Sequence, residues 1–197
     1  MSKKNKVPRF KDIAQKLERA RPVIAGVEGV NHFKHSFVNN GFTDTSLTPW
    51  PNKVSPLGGK RILQGRTNSM NLMQSIRVME RSLDHCVVGT DIPYAGFHNE
   101  GAIIRVSMKM KKWWWYQYYL LAPRVMKNKN GTISKGRNNA RANAKAQFCK
   151  TMALKKVGSV IRIPKRQFIG VSETLNNKMV WVYYDYLNEL IAKANIK

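Results

Sequence analysis

Ile76-Arg77-Val78-Met79-Glu80-Arg81-Ser82-Leu83-Asp84-His85-Cys86-Val87-Val88 is the stretch on which the fold class turns. Ile76, Val78 and Glu80 alternate with Arg77 and Met79, and a period of two sends successive side chains to opposite faces of a strand. The chain turns between Ser82 and Asp84, and residues 85–88 rise again, ending in two β-branched valines. The pattern predicts an antiparallel hairpin with one face buried.

The flanks on both sides are helical. Upstream, Phe10, Ile13 and Leu17 share a face, and Val23, Ile24, Val27, Val30, Phe33 and Phe37 continue an apolar stripe at helical period over residues 10–38. Pro22 either starts a second helix or kinks a long one, because its ring removes a backbone donor. Gly41 is placed as a left-handed cap. Downstream, residues 140–156 carry Ala144, Phe148 and Met152 at helical spacing and stop at Gly158. Ser172 is expected to cap a last helix whose inner side holds Leu175, Met179, Val182, Tyr186 and Leu190.

Between these, residues 103–106 and 160–163 read as short strands, and residues 69–75 as a short helix. Residues 43–59 read as a proline-rich loop and residues 123–139 as a mobile one. Strands and helices do not alternate, so the class is α+β: a long N-terminal helix region and a C-terminal helix packed on a small, mainly antiparallel sheet. The length of 197 residues suits one domain, with residues 102–159 inserted as a basic and aromatic segment.

Charge sets the choice of partner. With 35 Lys and Arg against 11 Asp and Glu, the formal net charge is +24. Residues 101–172 hold 17 basic side chains and no carboxylate. Such a stretch has no local ion pairs to form, and it calls for an anionic partner such as nucleic acid, acidic lipid or an acidic protein surface. Residues 1–9 are basic but lack the apolar core of a secretory signal, and no apolar run reaches the ~20 residues that cross a bilayer. Cys86 and Cys149 are too few for a disulfide scaffold and read as reduced thiols.

Catalytic constellations are sparse. Asp91, His98 and Glu100 are the best candidates for a divalent-ion, nuclease-like site, but two-metal phosphoryl transfer asks for more carboxylates than this. The alternative gives Tyr94 and Phe97 the role of core anchors, with His98 and Glu100 bracing a turn. His32 and His35 lack a third ligand at metal-binding spacing. No cofactor, metal or enzymatic activity is expected.

The aromatic run Trp113, Trp114, Trp115, Tyr116, Tyr118 and Tyr119 is the densest in the chain. On a regular strand, three successive tryptophans would not all face one way. At least one is therefore expected outward, in a subunit interface, against stacked bases or on a membrane surface, with the others packed internally. Lys109, Lys111, Lys112, Arg124, Lys127, Lys129, Lys135, Arg137 and Arg141 surround the run as candidate contacts to a DNA backbone.

Four pieces of sequence, in order, resemble the phage virion morphogenesis family, the tail-completion group found in P2-like phages and phage Mu. Gly41-Phe42 with Trp50-Pro51 follow the first helix. Ile62-Leu63-Gln64-Gly65-Arg66 precedes Gln74-Ser75-Ile76. Tyr94-Ala95-Gly96-Phe97-His98-Asn99-Glu100-Gly101 resembles Y-A-x-x-H-(Q/N)-x-G. Ile163-Pro164-Lys165-Arg166-Gln167-Phe168-Ile169-Gly170 resembles I-P-x-R-x-F-L-G. The stretch between Gly65 and Ser75 is longer than the pattern, and the segment between Gly101 and Ile163 has no counterpart in it.

The resemblance implies a non-catalytic structural protein of the virion neck or tail junction, assembled in the host cytoplasm. It implies a homo-oligomeric ring between head and tail around the DNA channel. Its neighbours would be portal-proximal neck proteins and tail tube or terminator proteins, with packaged double-stranded DNA touched through its backbone and no membrane partner. The competing expectations are a minor tail or tail-terminator protein and a free-standing nucleic-acid-binding module. The motif residues Trp50, Gly65, Ser75, Tyr94, His98, Glu100, Gly101, Pro164, Arg166, Phe168 and Gly170 are read as structural supports; Phe168 and Ile169 anchor a core, and Gly170 permits a turn.

Overall fold

The computed structural model describes residues 10–59, 61–63, 65 and 70–195. The basic N-terminal residues 1–9, and Gln64 and Arg66 of the second motif piece, lie outside the described residues. The class is α+β, with strands paired as three separate two-stranded antiparallel ladders and no larger sheet among the described residues. The chain divides into two compact units, residues 1–50, 70–95 and 166–197 in one, residues 51–69 and 96–165 in the other.

The first unit is built on α1 (Phe10–Asn39), which runs through Pro22 without a break in its helical assignment. Its buried residues Pro22, Gly26, Gly29, Phe33, Ser36 and Phe37 recur every three or four positions, so packing of one face stabilises the helix. After a first hairpin of β1 (Gly41–Thr43) and β2 (Leu47–Pro49) comes a ribbon of β3 (Arg77–Arg81) and β4 (Cys86–Gly89), which two glycines on the buried face of α1 admit. A Cβ on Gly26 would stand 2.8 Å from a Val78 methyl, and one on Gly29 would stand 3.2 Å from a Val88 methyl. The ribbon is the hairpin expected from the alternation at residues 76–88, with a bulge between Val78 and Glu80.

The expected cap at Gly41 is corrected in detail. Asn40 takes the left-handed conformation, with φ of 51°, and Gly41 already pairs with Pro49 in the β1–β2 hairpin. What Gly41 supplies is space, because a Cβ there would sit 2.6 Å from the Thr48 carbonyl oxygen. Residues 43–59, expected as loop throughout, therefore begin with a strand pair, which Trp50 N–H closes by donating to the Asn40 carbonyl at 2.7 Å.

An aromatic core sits beside this hairpin. Phe37 lies 5.3 Å from Trp50 and 5.2 Å from Phe168, centroid to centroid, and Trp50 Nε1 donates to the Gln167 carbonyl at 2.6 Å. Phe168 is therefore the core anchor expected from its motif. The one-turn helix α2 (Asn71–Gln74) follows, and Ser75 Oγ donates to the Leu72 carbonyl and meets Thr90 Oγ1 at 2.6 Å.

The last helix starts where Ser172 caps it. Ser172 Oγ accepts from Leu175 N–H at 3.1 Å and donates to the Thr43 carbonyl at 2.9 Å, while Asp44 Oδ1 accepts from Glu173 N–H at 2.7 Å. This helix, spanning Glu173–Asn195, packs on α1, and Lys178 Nζ reaches Glu28 Oε2 at 2.6 Å.

His32 gives this unit a pH dependence. Its Nε2 donates to the Thr43 carbonyl at 3.0 Å, and its ring meets Phe33 and Phe42 edge to face. Burial, aided by Lys178 and His35 and opposed by the bond to Thr43, lowers its pKa below the ordinary histidine value of 6.5. The folded state thus favours neutral His32, so its contribution is present above the unfolded-state pKa and is lost as pH falls through the lowered one. We expect the melting temperature to fall on acidification below pH ~6.5, and His32→Gln to flatten that decline. Equal pH profiles for the two proteins in calorimetry would refute it.

In the second unit, α3 (Ala95–Asn99) leads into β5 (Ala102–Arg105), which pairs with β6 (Val160–Ile163). Between them run α4 (Met108–Leu121), a 3-10 turn at Ala122–Arg124 and α5 (Arg137–Leu154), and α4 and α5 pack on each other. The segment expected as a mobile loop, residues 123–139, folds into a small ribbon with a bridge between Lys127 and Ile133. Buried Asn139 ties it down: its Oδ1 accepts from Met126 N–H at 2.8 Å, and its Nδ2 donates to the carbonyls of Met126 and Ser134.

Candidate functional site

The charge is partitioned between the units. The second carries 20 of the 35 basic side chains and one of the 11 carboxylates, Glu100. The first carries 15 basic and 10 acidic side chains. Glu100 is itself paired, with Lys165 Nζ at 3.5 Å and the Asn99 amide at 2.5 Å. Lys109, Lys112, Arg124, Lys127, Lys129, Lys135, Arg137 and Arg141 are all exposed, and Lys111 is half-buried. A surface of this composition attracts polyanions and is sensitive to salt.

The aromatic run, whose element the sequence left unassigned, is a helix. Ser107 starts α4, its Oγ accepting from Met110 N–H at 3.2 Å. The inward side of α4 then falls at Met110, Trp114, Gln117 and Leu121, spaced four, three and four apart. Trp114 packs edge to face on Phe148 of α5 at 5.6 Å, and Gln117 is buried. The outward side carries Lys109, Lys112, Trp113, Tyr116 and Tyr119. Trp113 is 43% exposed, Tyr116 60% and Tyr119 66%, so the rings face solvent and not the unit's core. Trp115 and Tyr118 are half-buried between the two sides, and Trp115 stacks on Tyr119 at 5.9 Å. The clue in the sequence was the pair of interleaved spacings, inward 110, 114, 117, 121 and outward 109, 112, 113, 116, 119, behind a serine cap.

The end of the third motif piece, Gly101, and the start of the fourth, Ile163–Lys165, come together in the second unit. Gly101 adopts φ of 78°, and a Cβ there would stand 3.0 Å from both the Ile163 carbonyl oxygen and the Lys165 backbone nitrogen. Ala102 pairs with Ile163 one step on. Glycine is required at Gly101 on both counts, conformation and space. An open surface depression borders this joint, with exposed Pro164 on its rim.

Other expectations fare differently. Tyr94 and Phe97 are not core anchors: they are 45% and 53% exposed, and the small Ala95 between them is the buried residue. Gly170 lies in a bend at residues 169–170, as expected, but without a positive φ, and a Cβ there would meet the end of the flexible Gln167 side chain. Arg166 is buried in the first unit, and that burial lowers the pKa of its guanidinium. Gly65 is half-buried and His98 half-buried. Asp91 pairs with Arg77 at 3.1 Å in the first unit, whereas His98 and Glu100 belong to the second. Among the described residues, no three His, Cys, Asp or Glu side chains are grouped so as to hold a metal ion. Cys86 is half-buried and Cys149 buried, and both are thiols. No helix of the described residues is long and apolar enough to cross a membrane.

Comparison with family models, curated proteins and solved structures returned no match for this chain.

Proposed function

We propose that the protein is a structural subunit of a phage virion, of the neck or tail-completion type, working in a ring at the head–tail junction. The observation that carries this reading is the joint at Gly101. Gly101, which ends the piece at residues 94–101, lies against the backbone of Ile163 and Lys165, which open the piece at residues 163–170, and the β5–β6 ladder starts one residue on, at Ala102 with Ile163. Pieces that resemble a family in order along the chain are expected to meet when they support one fold. A closed ring repeats each contact by symmetry, so modest interfaces suffice to hold it. The second unit's charge suits a position near packaged DNA, whose backbone attracts cations without regard to sequence. The role assigns no catalytic residue.

A stop codon early in the gene, placed in the phage genome that carries it, is expected to yield filled heads and finished tails that fail to join, visible by electron microscopy. Joined, infectious particles from that genome would overturn the proposal.

A further inference from the structure

We infer that the outward face of α4 binds single-stranded nucleic acid, with bases stacked on Trp113, Tyr116 and Tyr119 and phosphates held by Lys109 and Lys112. This face belongs to the second unit alone, and its binding does not depend on the virion role.

Charge comes first. A second copy of the chain does not neutralise this face, because the whole chain carries 11 carboxylates for 35 cations and all but one of those carboxylates lie in the other unit. A copy set against this face through the same unit would add 20 cations and one carboxylate, so the occupant of the face is a polyanion, whatever contacts copies make elsewhere. Nucleic acid supplies one negative charge per nucleotide and a π-face beside each.

The rings then select the strand state. Exposed Trp113, Tyr116 and Tyr119 follow one another every three residues, a rise of about 4.5 Å along the helix axis. In a closed duplex the π-faces are already stacked inside, leaving such rings nothing to stack on. On a single strand every base offers one, and each stacked base contributes substantially to affinity whatever its identity. An anionic bilayer is the less suitable occupant. An interfacial helix keeps its polar face in water opposite its apolar face, whereas here the side opposite the rings packs on α5, and the lysines share the stripe with the rings.

The test uses the full chain and a labelled oligo(dT) of about 20 nucleotides, long enough for one binding site. Competitors are a duplex of equal length, heparin, and vesicles containing phosphatidylserine. Expected are tighter binding to oligo(dT) than to duplex, and quenching of tryptophan fluorescence on binding. Replacing the three rings together (W113A/Y116A/Y119A) should weaken oligo(dT) binding at least about tenfold while leaving the slope of log affinity against log salt unchanged. Lys109→Gln with Lys112→Gln should instead make that slope shallower by about 0.7 per lost phosphate contact. Should the triple variant misfold by circular dichroism, Tyr116→Ala alone carries the comparison. Equal affinity for duplex and single strand, an unaffected ring variant, binding to vesicles without binding to oligo(dT), or no binding at all would each overturn the inference.

Discussion

Replacing Phe168 with alanine is expected to cost the chain about 3–5 kcal/mol of unfolding free energy, the range for truncating a buried aromatic. Phe168 is 1% exposed and packs 5.2 Å from Phe37, itself fully buried. Phe37 in turn touches Trp50, whose indole N–H is committed to the Gln167 carbonyl next to Phe168. Truncation therefore removes transfer free energy, opens a cavity and deprives Phe37 of an aromatic neighbour. Domains of ordinary stability hold about 5–15 kcal/mol, so the loss is a large share of the total. Urea unfolding followed by far-ultraviolet circular dichroism should show a lowered midpoint, and Phe168→Leu a smaller drop. A midpoint unchanged by the alanine substitution would show that the aromatic core is not what holds the first unit.

That core also marks where sequence reading succeeded and where it stopped. Phe168 was legible through the resemblance of residues 163–170 to the motif I-P-x-R-x-F-L-G, which implied a core anchor there. The last helix was legible from Ser172 and the spacing of Leu175, Met179, Val182, Tyr186 and Leu190, all buried or half-buried in the structure. The ribbon was read from the alternation at residues 76–88, and residues 103–106 and 160–163 were read as short strands, but not as partners of each other. What failed needed information from elsewhere in the chain. The residues of Leu47–Pro49 are all exposed, so no periodicity marks them as a strand, and the hairpin depends on the room Gly41 leaves for Thr48. Gly26 and Gly29 look like helix weakeners until Val78 and Val88 are set against them. Tyr94 and Phe97 were assigned to the core by size, yet Ala95 took the buried position. The aromatic run has strong strand preference residue by residue, and packing of Trp114 on Phe148 overrides it. For the candidate site, the carboxylate-free charge was visible in composition. An outward ring was expected from the run itself; which rings are exposed was not legible, because burial depends on where α5 lies.

Gly101→Val is expected to destabilise the second unit by about 2–4 kcal/mol, combining a left-handed backbone that a β-branched residue resists with overpacking against its neighbours. The atoms a Cβ would meet are the Ile163 carbonyl oxygen, the Lys165 nitrogen and the Lys165 Cα, at 3.0, 3.0 and 3.3 Å. All three are backbone atoms, so no side-chain rotation relieves the contact; β5 and β6 must separate at Ala102–Ile163. Gly131 provides the control within the same chain. Its φ of 75° is nearly that of Gly101, at 78°, but a Cβ there would meet nothing within 4 Å. Gly131→Ala therefore carries the conformational penalty alone, about 1 kcal/mol, and the excess cost of Gly101→Ala over Gly131→Ala measures the joint itself. Hydrogen exchange should report it locally, as lost protection of the β5–β6 amides in the Gly101 variants and retained protection in Gly131→Ala. If the two alanine variants were equally stable, the close approach at Gly101 would carry no energy. The meeting of Gly101 with Ile163 and Lys165 would then be an accident of chain path, and the support it lends to a virion-joining role would be withdrawn.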